Sequence, residues 1–146
     1  MGPRVGAGTY LLTMSLAVNV WCLAMIALHD YGLVPNRLSH EAVEYVAWIS
    51  GGAVGYLFYY FSQRRFQDLN CPGSWARVLA VPLLGVIALP VLCFLSGPRY
   101  SNDFGDPPER SGGLKIAAAM FSFLFAIVLV RYVMVLYARH PIHYVY

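Results

Sequence analysis

Charge is what this chain has least of. Only 12% of its 146 residues are Asp, Glu, Lys or Arg, while 59% are hydrophobic. A soluble domain ordinarily carries about 25% charged residues. A globule this small has a high surface-to-volume ratio, so folding such a composition in water would leave large apolar patches exposed. The shortage points to lipid as the surrounding solvent. The basic residues that exist are scattered along the chain, with a formal net charge of +3. That excludes the dense basic face that a nucleic-acid partner requires.

Cysteine is scarce as well. Cys22, Cys71 and Cys93 cannot complete a disulfide framework. Cys22 and Cys93 fall in apolar runs and read as small core residues, and nothing near Cys71 marks it as a nucleophile. Catalytic patterns are missing too: there is no phosphate-cradling glycine loop, nucleophile elbow or zinc signature. His29, His40, His140 and His143 lie near the ends of apolar runs or in the tail, and Pro141 interrupts the last pair. The stretch "SNDFGDPPERSGG" lacks the ligand spacing of an EF-hand loop. Glu41 and Glu44 suit a helix N-terminus, which favours negative charge. Glu44, slightly deeper, is also a candidate for handling a proton or cation. These residues predict no enzyme, metal or cofactor.

What the chain has is long apolar runs. A bilayer core of about 30 Å needs about 20 apolar residues in a helix. Residues 9–28, 42–61, 78–95 and 114–137 meet or approach that length and lack the alternation of barrel strands. The expectation is one integral membrane domain over residues 1–146, an all-α bundle of four transmembrane helices. The first run is too long for a signal core and reads as a retained anchor. Pro82 and Pro90 interrupt the third run, predicting a kinked span, with a re-entrant hairpin as the alternative.

Four spans place both termini and the 62–77 loop on one side. The basic residues favour that side only slightly, which puts the termini in the cytoplasm. Gly51 and Gly55, a G-x-x-x-G pair, and the small face Ala118, Ser122 and Ala126 predict close helix packing. Asn19, in mid-span, is expected to point inward or toward a partner. In "FSQRRFQDLNCPGSW", Arg64 and Arg65 can reach lipid phosphates and pair with Asp68. Pro72-Gly73 makes the turn, Ser74 is placed to cap the next helix, and Tyr59, Tyr60 and Trp75 form an aromatic belt.

Arg64-Arg65-Phe66-Gln67-Asp68, followed by Gly73 and Trp75, resembles the R-R-L-H-D…G-W-W signature of the domain-of-unknown-function 805 family. Val81-Pro82-Leu83-Leu84-Gly85 is similar to that family's I-P-x-x-G motif. Gly97, Asn102, Phe104, Gly105 and Pro108 fall at the spacing of its closing motif, and Arg4 and Tyr10 resemble residues near its start. The resemblance runs over about residues 55–108. Gln67 and Ser74 depart from it, standing where the family has a histidine and a tryptophan. It implies a small bacterial inner-membrane protein and no particular activity. Two functions are then in view. One is a structural or accessory subunit docking to a membrane protein complex or to a second copy. The other is a transporter or permeation protein using Asn19, Glu44, Pro82 and Pro90.

Overall fold

The computed structural model describes residues 4–32 and 40–139. Its elements are α1 (Ala7–Gly32), α2 (His40–Asp68), a 3₁₀ segment (Gly73–Ala80), α3 (Pro82–Phe94) and α4 (Gly113–Arg139). The only β pairing among these residues is an isolated Asn102–Gly105 bridge. The chain is all-helical because its apolar runs carry few breakers. Two stretches, Ala7–His29 and Gly113–Ala138, are long and apolar enough to cross a membrane. Helix α2 has the length, at 29 residues, but tyrosine, glycine and glutamate dilute its apolar character.

The third run differs from a single span. Residues 78–80 belong to the 3₁₀ segment, Val81 is extended (φ −85°, ψ 112°), and α3 begins with Pro82 in its first turn. Pro82 therefore starts a helix instead of bending one, as suits a residue without an N–H to donate. Only Pro90 lies inside α3, a helix of 13 residues. At 1.5 Å per residue that is about 20 Å, short of a bilayer core.

Both ends of the segment from Gly73 to Leu95 return to the end of α2. The Arg65 side chain bonds to the Leu92 and Leu95 carbonyls, while Gly73 lies against Gln63 and Gln67. The tip packs further back along α2, where Leu79 and Ala80 share a cleft with Gly55 and Tyr59. Gly55 is thirteen residues before Asp68, or about 20 Å along the helix. The third run is thus a helical hairpin entering and leaving at one end of the molecule. Gly85 permits the fold-back: a Cβ there would stand 2.8 Å from the Leu79 carbonyl oxygen.

The described ends of the chain do not share one side, as the expected four spans would have them. Helix α4 runs parallel to α1: Gly8 abuts Ser111, Ser15 bonds Ser122, Cys22 clusters with Leu129, and His29 meets Tyr137 edge-on at 5.1 Å. Arg4 and the end of α4 consequently lie at opposite ends. The seam is built from Ala119, Ser122, Ala126, Leu129 and Val133 on α4, spaced three and four apart. Ser122 and Ala126 lie in the seam as expected, while Ala118 is exposed and Ala119 takes its place.

At mid-seam Asn19 is buried, and its amide donates to the Ser122 carbonyl and hydroxyl, both at 3.0 Å. Gly51 and Gly55 are not packed within the chain. A Cβ on either would meet nothing within 4 Å, although Gly55 borders the cleft between α2 and the hairpin tip.

Candidate functional site

Three charged side chains, Arg4 ahead of α1 and Arg65 and Asp68 at the end of α2, are almost wholly buried: Arg4 is 5% exposed, Arg65 0% and Asp68 1%. Charges enter an interior only when paired and fully hydrogen-bonded, and here they are. Asp68 Oδ1 accepts from Arg4 Nη2 at 2.9 Å and Nε at 3.1 Å, and Asp68 Oδ2 accepts from Arg65 Nη1. The remaining donors go to main-chain carbonyls. Arg4 reaches those of Asp68, Pro98, Tyr100 and Gly105. Arg65 reaches those of Val5, Leu92 and Leu95. Two cations thus face one anion, and carbonyl dipoles hold the excess positive charge.

The arrangement is a clasp. It ties the N-terminal segment, the end of α2, the end of α3 and the following loop to one another. Arg65 also caps α3, whose last carbonyls have no partner within the helix. Gly97 is needed for closure, since its Cβ would stand 2.4 Å from Asp68 Oδ2. In the loop, Asn102 Nδ2 donates to the Gln67 carbonyl at 2.9 Å while its Oδ1 accepts from the Phe104 N–H at 2.9 Å. Gly105 closes that turn at φ +122°, a backbone conformation that favours glycine. Pro108 abuts Gly6. Gln67 enters the clasp through its main-chain carbonyl.

The two adjacent arginines have separate fates. Successive helix residues point about 100° apart, so only Arg65 faces inward. Arg64 lies over the Tyr60 ring, 5.4 Å from its centroid. The turn after α2 rests on Asn70 (φ 60°) rather than on Pro72-Gly73. Asn70 N–H donates to the Gln67 carbonyl and Cys71 N–H to that of Phe66, at 3.1 and 2.9 Å. This is a Schellman closure with asparagine in the left-handed position. An asparagine just past the last helical residue is the signal that locates it. Ser74 makes no cap, and Trp75 is largely exposed. Beside the clasp Tyr10 Oη and Ser62 Oγ, both fully buried, lie 2.8 Å apart.

Sequence reasoning treated Arg4 as peripheral, yet it carries more clasp bonds than any other side chain. An isolated arginine just before an apolar run was the available signal. Glu41 and Glu44 are exposed and remote from the clasp. Among the described residues no group of three His, Cys, Asp or Glu side chains gathers as metal ligands, and the cysteines are free. Arg37, His140 and His143 fall outside the described residues, as do the side chains of His40, Pro82 and Arg139.

Comparison with curated proteins finds no match, and neither does comparison with solved structures. A family model does match, described as "Protein of unknown function (DUF805)", over residues 4–106. Its limits coincide with the clasp, for Arg4 Nη1 donates to the Gly105 carbonyl at 2.9 Å and α4 lies beyond. With most of its length so matched, the chain belongs to the DUF805 family.

Proposed function

We propose that this chain is an integral membrane protein with three crossings, α1, α2 and α4, and a re-entrant hairpin formed by the 3₁₀ segment and α3. The two long apolar helices support it, as does the return of both hairpin ends to the clasp. Arg4, Arg64, Arg65, Arg99, Arg110 and Lys115 lie at the clasp end; Arg131 and Arg139 belong to the far half of α4. An excess of Lys and Arg marks the cytoplasmic side, so the clasp faces the cytoplasm of a bacterial-type inner membrane and α4 ends outside.

Thiol labelling distinguishes this topology from four spans. Native Cys71 and a cysteine replacing exposed Tyr100 should react with an impermeant maleimide from the same side, and one replacing Ala138 only from the other. Labelling of positions 71 and 138 together, with 100 opposite, would return the third run to a full span.

Within that frame the chain serves as a structural or accessory subunit. The observation carrying this reading is the uncovered face of α2, where Gly51, Gly52 and Gly55 meet open space. Tyr45, Trp48, Ile49 and Tyr56 stand exposed on the same helix. Small residues let a neighbouring helix approach closely, and exposed aromatics supply contact area. The partner is another membrane helix, in a larger complex or a second copy. The clasp's charged groups are spent on one another and on carbonyls, so it is assigned a positioning role and no catalysis.

In mild detergent the chain is expected to migrate in an assembly larger than its 16.2 kDa and its detergent shell. Gly52→Leu, on the exposed face, should dissociate that assembly without changing the monomer's helicity. Migration of the natural chain as a lone monomer would contradict the reading.

A permeation role draws support from the hairpin, because irregular backbone within a membrane often lines a polar path. The polar groups it would use lie apart: Asn19 is held in the α1–α4 seam and Glu44 is exposed on α2. The docking reading is the better supported.

A further inference from the structure

Helices α3 and α4 both lean on α1, yet among the described residues their backbones make no close approach to each other. An edge-on contact of the Phe94 and Phe123 rings, centroids 6.5 Å apart, spans the gap. The gap along α1 holds two hollows that share no lining residue and differ in chemistry. The first, at the clasp end, is a cavity of about 530 Å³ walled by Ser96, Arg99, Arg110 and Ser111, with Asp68 at its back. Asp68 is already committed to Arg4 and Arg65, so the buried cluster behind the cavity is positive overall. Glu109 is the other acid in the wall, which leaves an excess of positive charge. Further along α1 lies the second hollow, a groove of about 430 Å³ lined by Leu11, Leu89, Phe94, Phe123 and Ile127, with Arg131 toward its far end.

We propose that this gap holds one anionic phospholipid, with its phosphate at Arg99 and Arg110 and an acyl chain in the groove. The inference rests on the membrane reading above. A soluble phosphate would satisfy only the cationic hollow, and a neutral lipid only the apolar one. An anionic phospholipid joins both chemistries in one molecule, in the order the gap presents them. The arginines lie at the cation-rich end, where a headgroup of the cytoplasmic leaflet would stand, and the apolar groove extends along the helices beneath.

The test uses the full chain purified in detergent, with native mass spectrometry reading retained lipid. The probes are dioleoylphosphatidylglycerol, dioleoylphosphatidylcholine and glycerol 1-phosphate. One phosphatidylglycerol per chain should be retained, with phosphatidylcholine held about tenfold more weakly and glycerol 1-phosphate not at all. Replacing Arg99 and Arg110 together by glutamine should weaken retention about thirtyfold, since each arginine near an anionic headgroup contributes roughly fivefold. Ile127→Trp, on the exposed groove wall, should also weaken it with every charge intact. Arg64→Gln, at the same end but outside the gap, should leave it unchanged.

Equal retention of the two lipids would overturn the proposal, as would unchanged retention in the double variant. So would binding of glycerol 1-phosphate as tight as that of phosphatidylglycerol, which would make the ligand a soluble anion. The membrane reading fails separately, by release of the chain from vesicles under alkaline carbonate. A chain that stays in the washed membrane but shows no preference for phosphatidylglycerol overturns the lipid site alone.

Discussion

Asp68→Asn is expected to destabilise the folded chain by about 3–5 kcal/mol, the cost of removing one member of a buried ion cluster. Asparagine keeps the size of the side chain and one acceptor oxygen. It leaves the Arg4 and Arg65 guanidinium groups, 5% and 0% exposed, without any carboxylate between them. Unfolding of the purified chain in detergent, followed by circular dichroism against a denaturant, measures the loss. The companion variant combines Asp68→Asn with Arg4→Gln, which restores the cluster's original net charge. If charge compensation holds the clasp together, the double variant recovers part of the stability lost by the single one, a coupling that a double-mutant cycle isolates. Asp68→Asn unfolding like the natural chain would show that the carboxylate does not hold the arginines in place.

The second large effect is expected from a single methyl group. In Gly97→Ala the added carbon would stand 2.4 Å from Asp68 Oδ2, 2.7 Å from its Cγ and 2.8 Å from its carbonyl oxygen. None of these atoms can retreat cheaply, since the carboxylate is fixed by two arginines and the carbonyl belongs to the end of α2. Overpacking of a tight interior ordinarily costs about 1–3 kcal/mol, and a rigid ionic neighbour puts this case at about 3 kcal/mol. Gly112→Ala, where a Cβ meets nothing within 4 Å, should be nearly silent in the same unfolding assay. Similar stabilities for the two variants would mean that the loop after α3 does not close on Asp68 as described.

The family motifs acquire a shared physical reason from this geometry. Arg65 and Asp68 supply the charges, Asn102 ties the loop to the Gln67 carbonyl, Gly97 allows the close approach to Asp68, and Gly105 supplies the positive φ of the turn. Pro82 and Gly85 belong to the hairpin whose ends the clasp secures. These positions describe how a hairpin is held against α2. The surfaces proposed above for docking and for lipid lie elsewhere, on the outward face of α2 and between α3 and α4.

How far the sequence could be read depended on whether the answer was local. The helical class was legible because apolar runs with few breakers leave the backbone little else to do, and hydropathy picked out α1 and α4 directly. Asn19 was recognisable as a residue needing a partner, since an amide facing hydrocarbon loses its hydrogen bonds. The identity of that partner, Ser122, depended on α4 lying parallel to α1, which no local pattern encodes. On α4 the expected Ser122 and Ala126 lie in the seam, but Ala119 is buried there in place of Ala118; both are equally small, and only the packing of α4 selects one.

Composition and spacing by themselves determined that this chain is helical, apolar along most of its length, and related to a family through three ordered motifs. Only the tertiary structure decided that residues 73–95 turn back on themselves, because the length of the third run by itself favours a kinked span, and what folds it back is packing against the end of α2. It likewise decided which of two neighbouring arginines is buried and that Arg4 joins it. Direction, rotation and long-range pairing arise when helices pack, and sequence patterns carry no signal for them. Buried charge settles the outcome here: Arg65 and Asp68 leave water only where Arg4 and the carbonyls of α3 are brought to meet them.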